Sequence, residues 1–253
     1  MDLRAASLVL PGRLAGVSLA LRPGEVTAIV GPNGAGKSSL LSCLSGLLAP
    51  ASGMVTGDGT PLDHLPPRER ARRIGYLPQS PEVAWDVSVR TLVSLGRLPW
   101  QGSPLHRAHA SAAEDEAAIA RALAAMDLDP LAARPVSRLS GGERARALAA
   151  RVLAGEPAWL LADEPLANLD LSHAAALVRL LRAQAEAGRG VVLVLHDLAT
   201  AMNRADRVIV LDRGQVAADG PPHLALDPAL VSRIWGIGAR WLGDAGARAL
   251  AVD

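Results

Sequence analysis

The chain has 253 residues, 50% of them hydrophobic, and a formal net charge of +1 at pH 7. This length can bury a sizeable core as one domain or as one domain with a subdomain, and the balanced charge argues against a nucleic-acid-binding protein. The longest apolar runs are the length of a strand and too short to span a bilayer. The N-terminus lacks the pattern of a signal peptide. The single cysteine excludes an internal disulfide and fits a reducing compartment.

The first sixty residues predict a small antiparallel sheet and a separate unit of strand, loop and helix. Residues 3–22 form short strands that Pro11-Gly12 interrupts, and residues 55–59 are typical of a hairpin turn, so we expect a small antiparallel sheet. Between these segments, residues 27–30 form an apolar strand that leads into a glycine-rich loop, and a helix opens at Lys37. A strand, a loop and a helix in this order are the context of a phosphate-binding loop.

The glycine-rich loop, Gly-Pro-Asn-Gly-Ala-Gly-Lys-Ser over residues 31–38, matches a P-loop at every position. Its glycines let the backbone curl so that successive N–H groups point at phosphate oxygens, and the following helix adds its positive N-terminal end. Lys37 supplies a cation to the outer phosphates, and Ser38 supplies a hydroxyl ligand for Mg²⁺. The alternative, a glycine-rich turn that only caps a helix, does not account for the full match.

Residues 83–154 are alanine-rich and helical in pattern, and residues 155–157 are typical of a hinge back to the sheet. We therefore predict a helical subdomain over residues 83–154, inserted into a nucleotide-binding core made of residues 1–82 and 155–253. Within the subdomain, the string Ser-Gly-Gly-Glu at 140–143 has two interpretations. It is a capping box that starts an ordinary helix, or an anion site where two glycines leave the helix end open to a ligand.

Three more strands are predicted, at residues 159–162, 191–195 and 208–211, with an amphipathic helix over residues 172–187. Apolar strands that alternate with helices indicate an α/β fold with a parallel sheet covered on both faces. Asp163 ends the first of these strands, where it would hold Mg²⁺, and Glu164 would polarise an attacking water. His196 ends the second. For the Asp-Glu pair the alternative is a turn or helix start, and for His196 it is a satisfied packing histidine.

These motifs, in this order, resemble the ATP-binding-cassette (ABC) ATPases over residues 3 to about 220. The resemblance implies a P-loop NTPase (RecA-like) fold with a parallel-sheet core, a small antiparallel β subdomain and an inserted α-helical subdomain carrying the signature motif. It also implies that the chain hydrolyses ATP with Mg²⁺. Two copies would close face to face on two ATP molecules, and hydrolysis would release them.

The resemblance also implies roles for individual residues. Catalytic roles go to Glu164, His196 and Gln79, the last in a Q-loop that touches Mg²⁺ and the attacking water. The Mg²⁺ ligands would be Ser38, Gln79 and Asp163. The ATP-binding residues come from the Walker A loop, the signature and the D-loop, and they are Gly31, Pro32, Asn33, Gly34, Ala35, Gly36, Lys37, Ser38, Ser39, Ser140, Gly142 and Asp170.

Shorter strings at residues 95–99, 169–173 and 212–216 resemble the ATPases of importers for iron–siderophore, haem and cobalamin. We therefore expect a peripheral subunit on the cytoplasmic face of the membrane, bound to separate permease subunits and indirectly to a substrate-binding protein. Residues 80–100 are the expected docking surface, with Trp85 and Trp100 as contacts or as core residues. The alternatives are a soluble ABC ATPase of the iron–sulfur assembly type and an exporter ATPase.

One feature departs from the family, whose members usually stack the adenine on an aromatic ring before the P-loop. No aromatic residue precedes Lys37 in this chain. We expect Arg13 or Leu10 to cover the base instead. Because stacking on an aromatic ring is worth about 1–3 kcal/mol, recognition of the base should be weak, and ATP and GTP should bind with similar affinity.

Overall fold

The computed structural model describes residues 1–79, 86–101 and 110–253. Trp85, one of the two expected docking contacts, lies outside these residues, as does the first part of the expected docking surface. Among the described residues, no helix is both long enough and apolar enough to cross a membrane.

A six-stranded sheet forms the centre of the molecule. Its strands are β3 (Val26–Val30), β6 (Ile74–Leu77), β7 (Trp159–Asp163), β8 (Gly190–Val194), β9 (Arg207–Asp212) and β10 (Gln215–Gly220), in the spatial order β10-β9-β3-β8-β7-β6. All neighbouring strands are parallel except β9 and β10, which form a hairpin. Every residue of β3, β7 and β8 is buried, as expected for strands covered on both faces. The predicted α/β fold with a parallel core is confirmed.

A four-stranded antiparallel sheet packs beside this core. It consists of β1 (Leu3–Leu10), β2 (Leu14–Leu21), β4 (Ser52–Gly57) and β5 (Thr60–Pro61), in the order β2-β1-β4-β5. Strands β1 and β2 are joined by the turn at Pro11-Gly12, as the sequence predicted. This turn matters for function because it lies at the edge of the glycine-rich loop.

Nine α-helices are described. They are α1 (Lys37–Leu44), α2 (Pro67–Arg73), α3 (Val89–Ser94), α4 (Ala112–Ala125), α5 (Gly141–Ala154), α6 (Leu171–Glu186), α7 (Leu198–Arg204), α8 (Pro222–Ala225) and α9 (Pro228–Trp235). Helices α3, α4 and α5 contact one another and lie within the predicted helical subdomain. Its proposed limits at residues 83 and 154 stay a prediction.

The two faces of the parallel sheet bury two different clusters of side chains. Ala28 faces the cluster that helices α3 to α6 share, whereas the next residue, Ile29, faces the cluster formed by α1 and the antiparallel sheet. This alternation follows from the pleat, which directs successive side chains of a strand to opposite faces. The sheet is therefore held from both sides, and the ends of its strands are fixed in position.

A buried arginine ties the helical region to the core. Arg97 is only 2% exposed. Its guanidinium contacts Asp115 (Nε to Oδ1, 2.7 Å) and Glu156 (Nη1 to Oε2, 3.0 Å), and it donates to the carbonyl of Ala154 at 2.8 Å. Trp100 stacks against Arg97 and donates its indole N–H to the Gly155 carbonyl at 2.9 Å. Trp100, an expected docking contact, is therefore also engaged within the chain.

The C-terminal region contains two short helices and a hairpin. Helices α8 and α9 are separate because Asp227 leaves the helical conformation before Pro228 and caps α9 through its side chain. Strands β11 (Ala239–Leu242) and β12 (Ala249–Val252) then make a hairpin that the sequence did not predict. Trp241 packs on the core and donates its indole N–H to the Leu226 carbonyl at 2.7 Å.

Candidate nucleotide site

The glycine-rich loop connects β3 to α1, and two of its glycines are required by close contacts. A β-carbon at Gly31 would lie 2.2 Å from the carbonyl oxygen of Leu211, and one at Gly36 would lie 2.4 Å from that of Arg13. Gly34 and Gly36 also have positive φ angles, +80° and +101°, which side chains disfavour. The loop is therefore held in its curled form by its neighbours β9 and the β1–β2 turn.

Lys37 begins α1 and is buried in the loop. Its ammonium donates to the carbonyl oxygens of Gly31 at 2.8 Å and Pro32 at 3.0 Å. Burial lowers the pKa of Lys37, and the carboxylates of Glu164 and Asp163 act in the opposite direction. Lys37 is also the only lysine among the 26 lysine and arginine residues of the chain. A compact ammonium fits between two carbonyls where a planar guanidinium does not.

Ser38 and Asp163 come together as predicted. The Ser38 hydroxyl donates to Asp163 Oδ1 at 3.1 Å, joining the start of α1 to the end of β7. Burial raises the pKa of Asp163, and hydrogen bonds from Ser38 and Tyr76 partly offset this rise. Tyr76, which lies on β6 three residues before Gln79, was not predicted to contact this site.

This donor set fits Mg²⁺ better than a metal held by protein ligands alone. No group of three or more His, Cys, Asp or Glu side chains that could hold a metal occurs in the described part of the chain. One hydroxyl and one carboxylate leave most coordination positions open. Mg²⁺ in phosphate sites has this pattern, because it keeps several waters and takes its remaining ligands from phosphate oxygens.

Glu164 lies between two other predicted site residues. The Gln79 side-chain amide donates to Glu164 Oε2, and His196 Nε2 contacts Glu164 Oε1. The three residues follow β6, β7 and β8, which are adjacent in the sheet, so the ends of parallel strands bring them to one edge. Glu164 itself has a φ angle of +49°, a conformation that is uncommon for a residue with a side chain.

Two clefts open beside these residues, each of about 390 Å³. The phosphate cleft is lined by Gly12, Arg13, Asn33, Gly34, Gly36, Lys37, Ser38, Ser39 and Glu164. The second cleft lies between the end of β6, the start of α5 and the segment after β7, and its lining includes Gln79, Gly141 and Glu164. Glu164 is shared by both clefts, so the candidate base lies between the phosphate cleft and the cleft beside the start of α5.

The signature string starts α5 through the capping box that the sequence predicted. Ser140 Oγ accepts from the Glu143 N–H at 3.3 Å, and the Ser140 N–H donates to Glu143 Oε2 at 2.8 Å. That backbone N–H is the main reason why the pKa of Glu143 lies below its usual range. Ser140 is exposed, so the local cap and a contact with an anion are compatible.

The sequence predicted that both signature glycines keep the helix end open, but only Gly141 does so. A β-carbon at Gly141 would meet no atom within 4 Å, but one at Gly142 would lie 2.0 Å from Cδ2 of His173. His173 is held in turn by Asp170, which caps α6 and contacts His173 Nδ1 at 2.7 Å. These bonds lower the pKa of Asp170 to about 2. Apart from the place of His173 in the importer-like string at residues 169–173, no sequence pattern indicated this role.

The predicted ATP-binding residues fall into two separate groups. Six of the Walker A residues, Asn33, Gly34, Gly36, Lys37, Ser38 and Ser39, line the phosphate cleft, whereas Ser140, Gly142 and Asp170 lie at the starts of α5 and α6. Within the described ranges, no residue of the signature string lines the phosphate cleft. The structure of one chain therefore does not bring the two groups together.

Comparisons with known proteins agree on one family. A family model described as ABC transporter matches residues 14–167. The hemin import ATP-binding protein HmuV of Nocardia farcinica is 49% identical over 219 residues, covering 87% of this chain and 74% of that protein. Among solved structures, cbiO1 of Clostridium perfringens, part of the ABC transporter complex cbiONQ, is 30% identical with a TM-score of 0.78, covering 91% of this chain and 92% of that one. A dimeric ATP-binding cassette bound to ADP and Pi is 26% identical with a TM-score of 0.72, covering 87% and 98%.

Proposed function

The chain belongs to the ABC transporter family as an ATP-binding and hydrolysing subunit, and we propose that it drives the import of haem. The support for haem is the 49% identity to the hemin import protein of Nocardia farcinica, together with the importer-like strings at residues 95–99 and 169–173. Iron–siderophore and cobalamin import are the neighbouring possibilities within the same subgroup. An exporter ATPase has weaker support, because the bacterial Atm1-family exporter among the similar structures is 29% identical to this chain.

In the proposed site the phosphates of ATP occupy the phosphate cleft. Lys37 exchanges the carbonyls of Gly31 and Pro32 for phosphate oxygens, and backbone N–H groups of the loop donate to the same phosphates. Ser38, Asp163 and Gln79 would hold Mg²⁺. When bound, Mg²⁺ would neutralise charge on the phosphates.

Glu164 is the proposed general base. Its carboxylate accepts the proton of the attacking water, while the Gln79 amide, which donates to Oε2, holds it in place. His196 contacts the other oxygen, Oε1, until ATP binds. A positioned carboxylate of this kind contributes about 10²- to 10⁴-fold to a rate. In the presence of ATP, His196 would turn to the terminal phosphate.

The observation that carries the two-copy mechanism is that no described residue of the signature string lines the phosphate cleft of its own chain. We propose that Ser140 and Gly142 bind the terminal phosphate of the ATP held by a second copy, and that Asp170 lies at the contact between the copies. Two ATP molecules would then be enclosed between two chains. The similarity to a dimeric cassette bound to ADP and Pi supports this arrangement.

The proposed partners outside the dimer are integral-membrane permease subunits, on which the chain docks at the cytoplasmic face of the membrane, and indirectly a substrate-binding protein. The described part of the expected docking surface, residues 86–100, includes Leu95 and Leu98, two exposed leucines that fit a protein contact. The similarity to cbiO1, a part of a transporter complex, supports docking on other subunits.

The test is to purify the chain from native membranes in mild detergent and to identify its partners by mass spectrometry. We expect a polytopic permease in roughly equal amount, and haem presented with the substrate-binding protein should stimulate ATP hydrolysis by that complex. Recovery from the soluble fraction with no membrane partner would overturn the transport proposal. Stimulation by a siderophore or cobalamin, but not by haem, would overturn the choice of substrate.

A further inference from the structure

We propose that Arg13 binds the base of the nucleotide, with its planar guanidinium stacked on the ring. This inference rests on the proposed binding of nucleotide in the phosphate cleft and adds the contact that the base makes there. It assigns a base-binding role to a residue of the turn between β1 and β2, outside the glycine-rich loop.

The backbone of Arg13 is fixed against the loop that cradles the phosphates. Its N–H donates to the Leu10 carbonyl at 2.8 Å, and the next residue but one, Ala15, donates to the Gly214 carbonyl at 2.8 Å. The carbonyl of Arg13 lies so close to Gly36 that a β-carbon there would be 2.4 Å from it. Gly36 immediately precedes Lys37. The distance from the start of the Arg13 side chain to the phosphate site is therefore set by rigid contacts.

The Arg13 side chain, by contrast, is available. It is exposed and lines the phosphate cleft, and no hydrogen bond or ion pair within the described ranges engages its guanidinium. Leu10, the other residue expected to cover the base, is half-buried against the core cluster of the antiparallel sheet. The structure thus favours Arg13 over Leu10 as the residue that covers the base, a choice that the sequence left open.

The lining of the cleft leaves few other surfaces for a base. Its described residues include no aromatic side chain, and outside the loop at residues 31–38 they are only Gly12, Arg13, Ser39 and Glu164. Glu164 lies at the phosphate end beside Gln79 and His196. Arg13 therefore offers the only extended flat group on this lining that the base could reach.

A guanidinium suits this role chemically. It is planar and weakly hydrated, and it stacks on flat rings with an added cation–π attraction. Such stacking tolerates any base, because every base has a π-face. The phosphate end already has a cation in Lys37 and the backbone N–H groups of the loop, so the charge of Arg13 is not needed there. The expected result is binding that requires a base but discriminates weakly between bases.

The test uses calorimetric titration of the full chain with Mg-ADP, Mg-GDP and Mg-pyrophosphate. We expect Arg13→Ala to lower the affinity for ADP and GDP by about tenfold, the scale of one base stack. The affinity for pyrophosphate should fall by less than about twofold. Arg13→Lys keeps the charge without the flat face and should lose as much as Arg13→Ala. Arg13→Tyr restores a stacking surface and should bind ADP within about twofold of the wild type. Arg22→Ala, at an exposed arginine that does not line the cleft, is the matched control.

Any of four results would overturn the assignment. If Arg13→Ala lowers the affinities for pyrophosphate and ADP equally, the guanidinium acts on the phosphates. If ADP binds to this variant as to the wild type, the guanidinium contacts neither the base nor the phosphates. If the wild type binds pyrophosphate but shows no gain from the base, the inference fails while the proposed phosphate site stands. If the wild type binds none of the three ligands, the proposed nucleotide site fails and the inference fails with it.

Discussion

The imidazole of His173 lies directly against the backbone of Gly142, at a distance that leaves no room for a β-carbon. Gly142 is in the first turn of α5 and His173 in the first turn of α6, so the contact joins the starts of two helices. Asp170 holds the ring from the other side. The signature glycine and the D-loop aspartate are thus linked within one chain, through a histidine between them.

This contact predicts that Gly142→Ala lowers the stability of the chain. The added methyl group must displace His173, and overpacking of this kind costs about 1–3 kcal/mol. Because 1 kcal/mol corresponds to about 2–4 °C in a chain of this size, the melting temperature should fall by several degrees. Gly141→Ala, where a β-carbon meets nothing within 4 Å, is the control and should not lower it.

A double variant separates this cause from a general loss of helix stability. His173→Ala should cancel most of the effect of Gly142→Ala, because the clash is with the ring and contacting residues are not additive. Additive losses in Gly142→Ala, His173→Ala and their combination, measured by thermal melts, would contradict the contact.

Lys37→Arg should abolish most nucleotide binding although it keeps the charge. The ammonium fits between the carbonyls of Gly31 and Pro32, and a guanidinium is larger and planar. Because Lys37 is the only lysine, an amine-specific reagent modifies only this side chain and the N-terminus. Mass spectrometry should show that Mg-ATP protects Lys37 but not the N-terminal amine. Equal modification with and without ATP would refute its contact with phosphate.

Glu164→Gln should bind ATP and hydrolyse it at least about a hundredfold more slowly, because the amide cannot accept a proton from water. The variant should accumulate as an ATP-bound dimer, which size-exclusion chromatography with and without Mg-ATP would detect. Glu186→Gln, at an exposed glutamate near the end of α6, is the control and should turn over normally. Normal turnover in Glu164→Gln would remove Glu164 as the base.

Asp163→Asn should stabilise the nucleotide-free chain at pH 7 and remove its stabilisation by Mg-nucleotide. Burial raises the pKa of Asp163 in the folded chain, so folding favours the protonated form. That contribution to stability is present below the unfolded pKa and is lost as the pH rises through the folded pKa. The neutral amide of Asp163→Asn does not titrate and avoids this loss of stability. The melting temperature of the variant should therefore exceed that of the wild type at pH 7. The difference should close towards about pH 4, near the usual pKa of Asp.

The control for this prediction is Asp244→Asn, at an exposed aspartate in the β11–β12 turn, which should leave both melting curves unchanged. A wild-type chain that is more stable than Asp163→Asn at pH 7 without nucleotide would contradict the burial cost. Equal stabilisation of both chains by Mg-nucleotide would contradict the role of Asp163 at Mg²⁺.

The sequence predicted the long, strongly patterned elements well. The apolar runs that became β3, β7, β8 and β9, and the amphipathic run that became α6, were each found within about two residues, because a fully buried strand and a helix face leave distinct patterns. Strand β6 was missed. Its four residues include Gly75, where a side chain would collide with Val152 of α5, and so short a segment carries no pattern of its own.

The residues of the candidate site also divide into those that the sequence predicted and those that only the tertiary structure revealed. The P-loop, Asp163, Glu164 and the capping box at Ser140 depend on residues that are neighbours in the chain, so the sequence by itself determined them, along with the α/β fold and the family. Only the tertiary structure decided that Gln79 and His196 meet at Glu164, that Tyr76 supports Asp163 and that His173 occupies the space at Gly142. It also left Arg13, rather than Leu10, open to the cleft. These contacts join segments from different strands and helices, and packing sets their distances, which no local pattern of residues encodes.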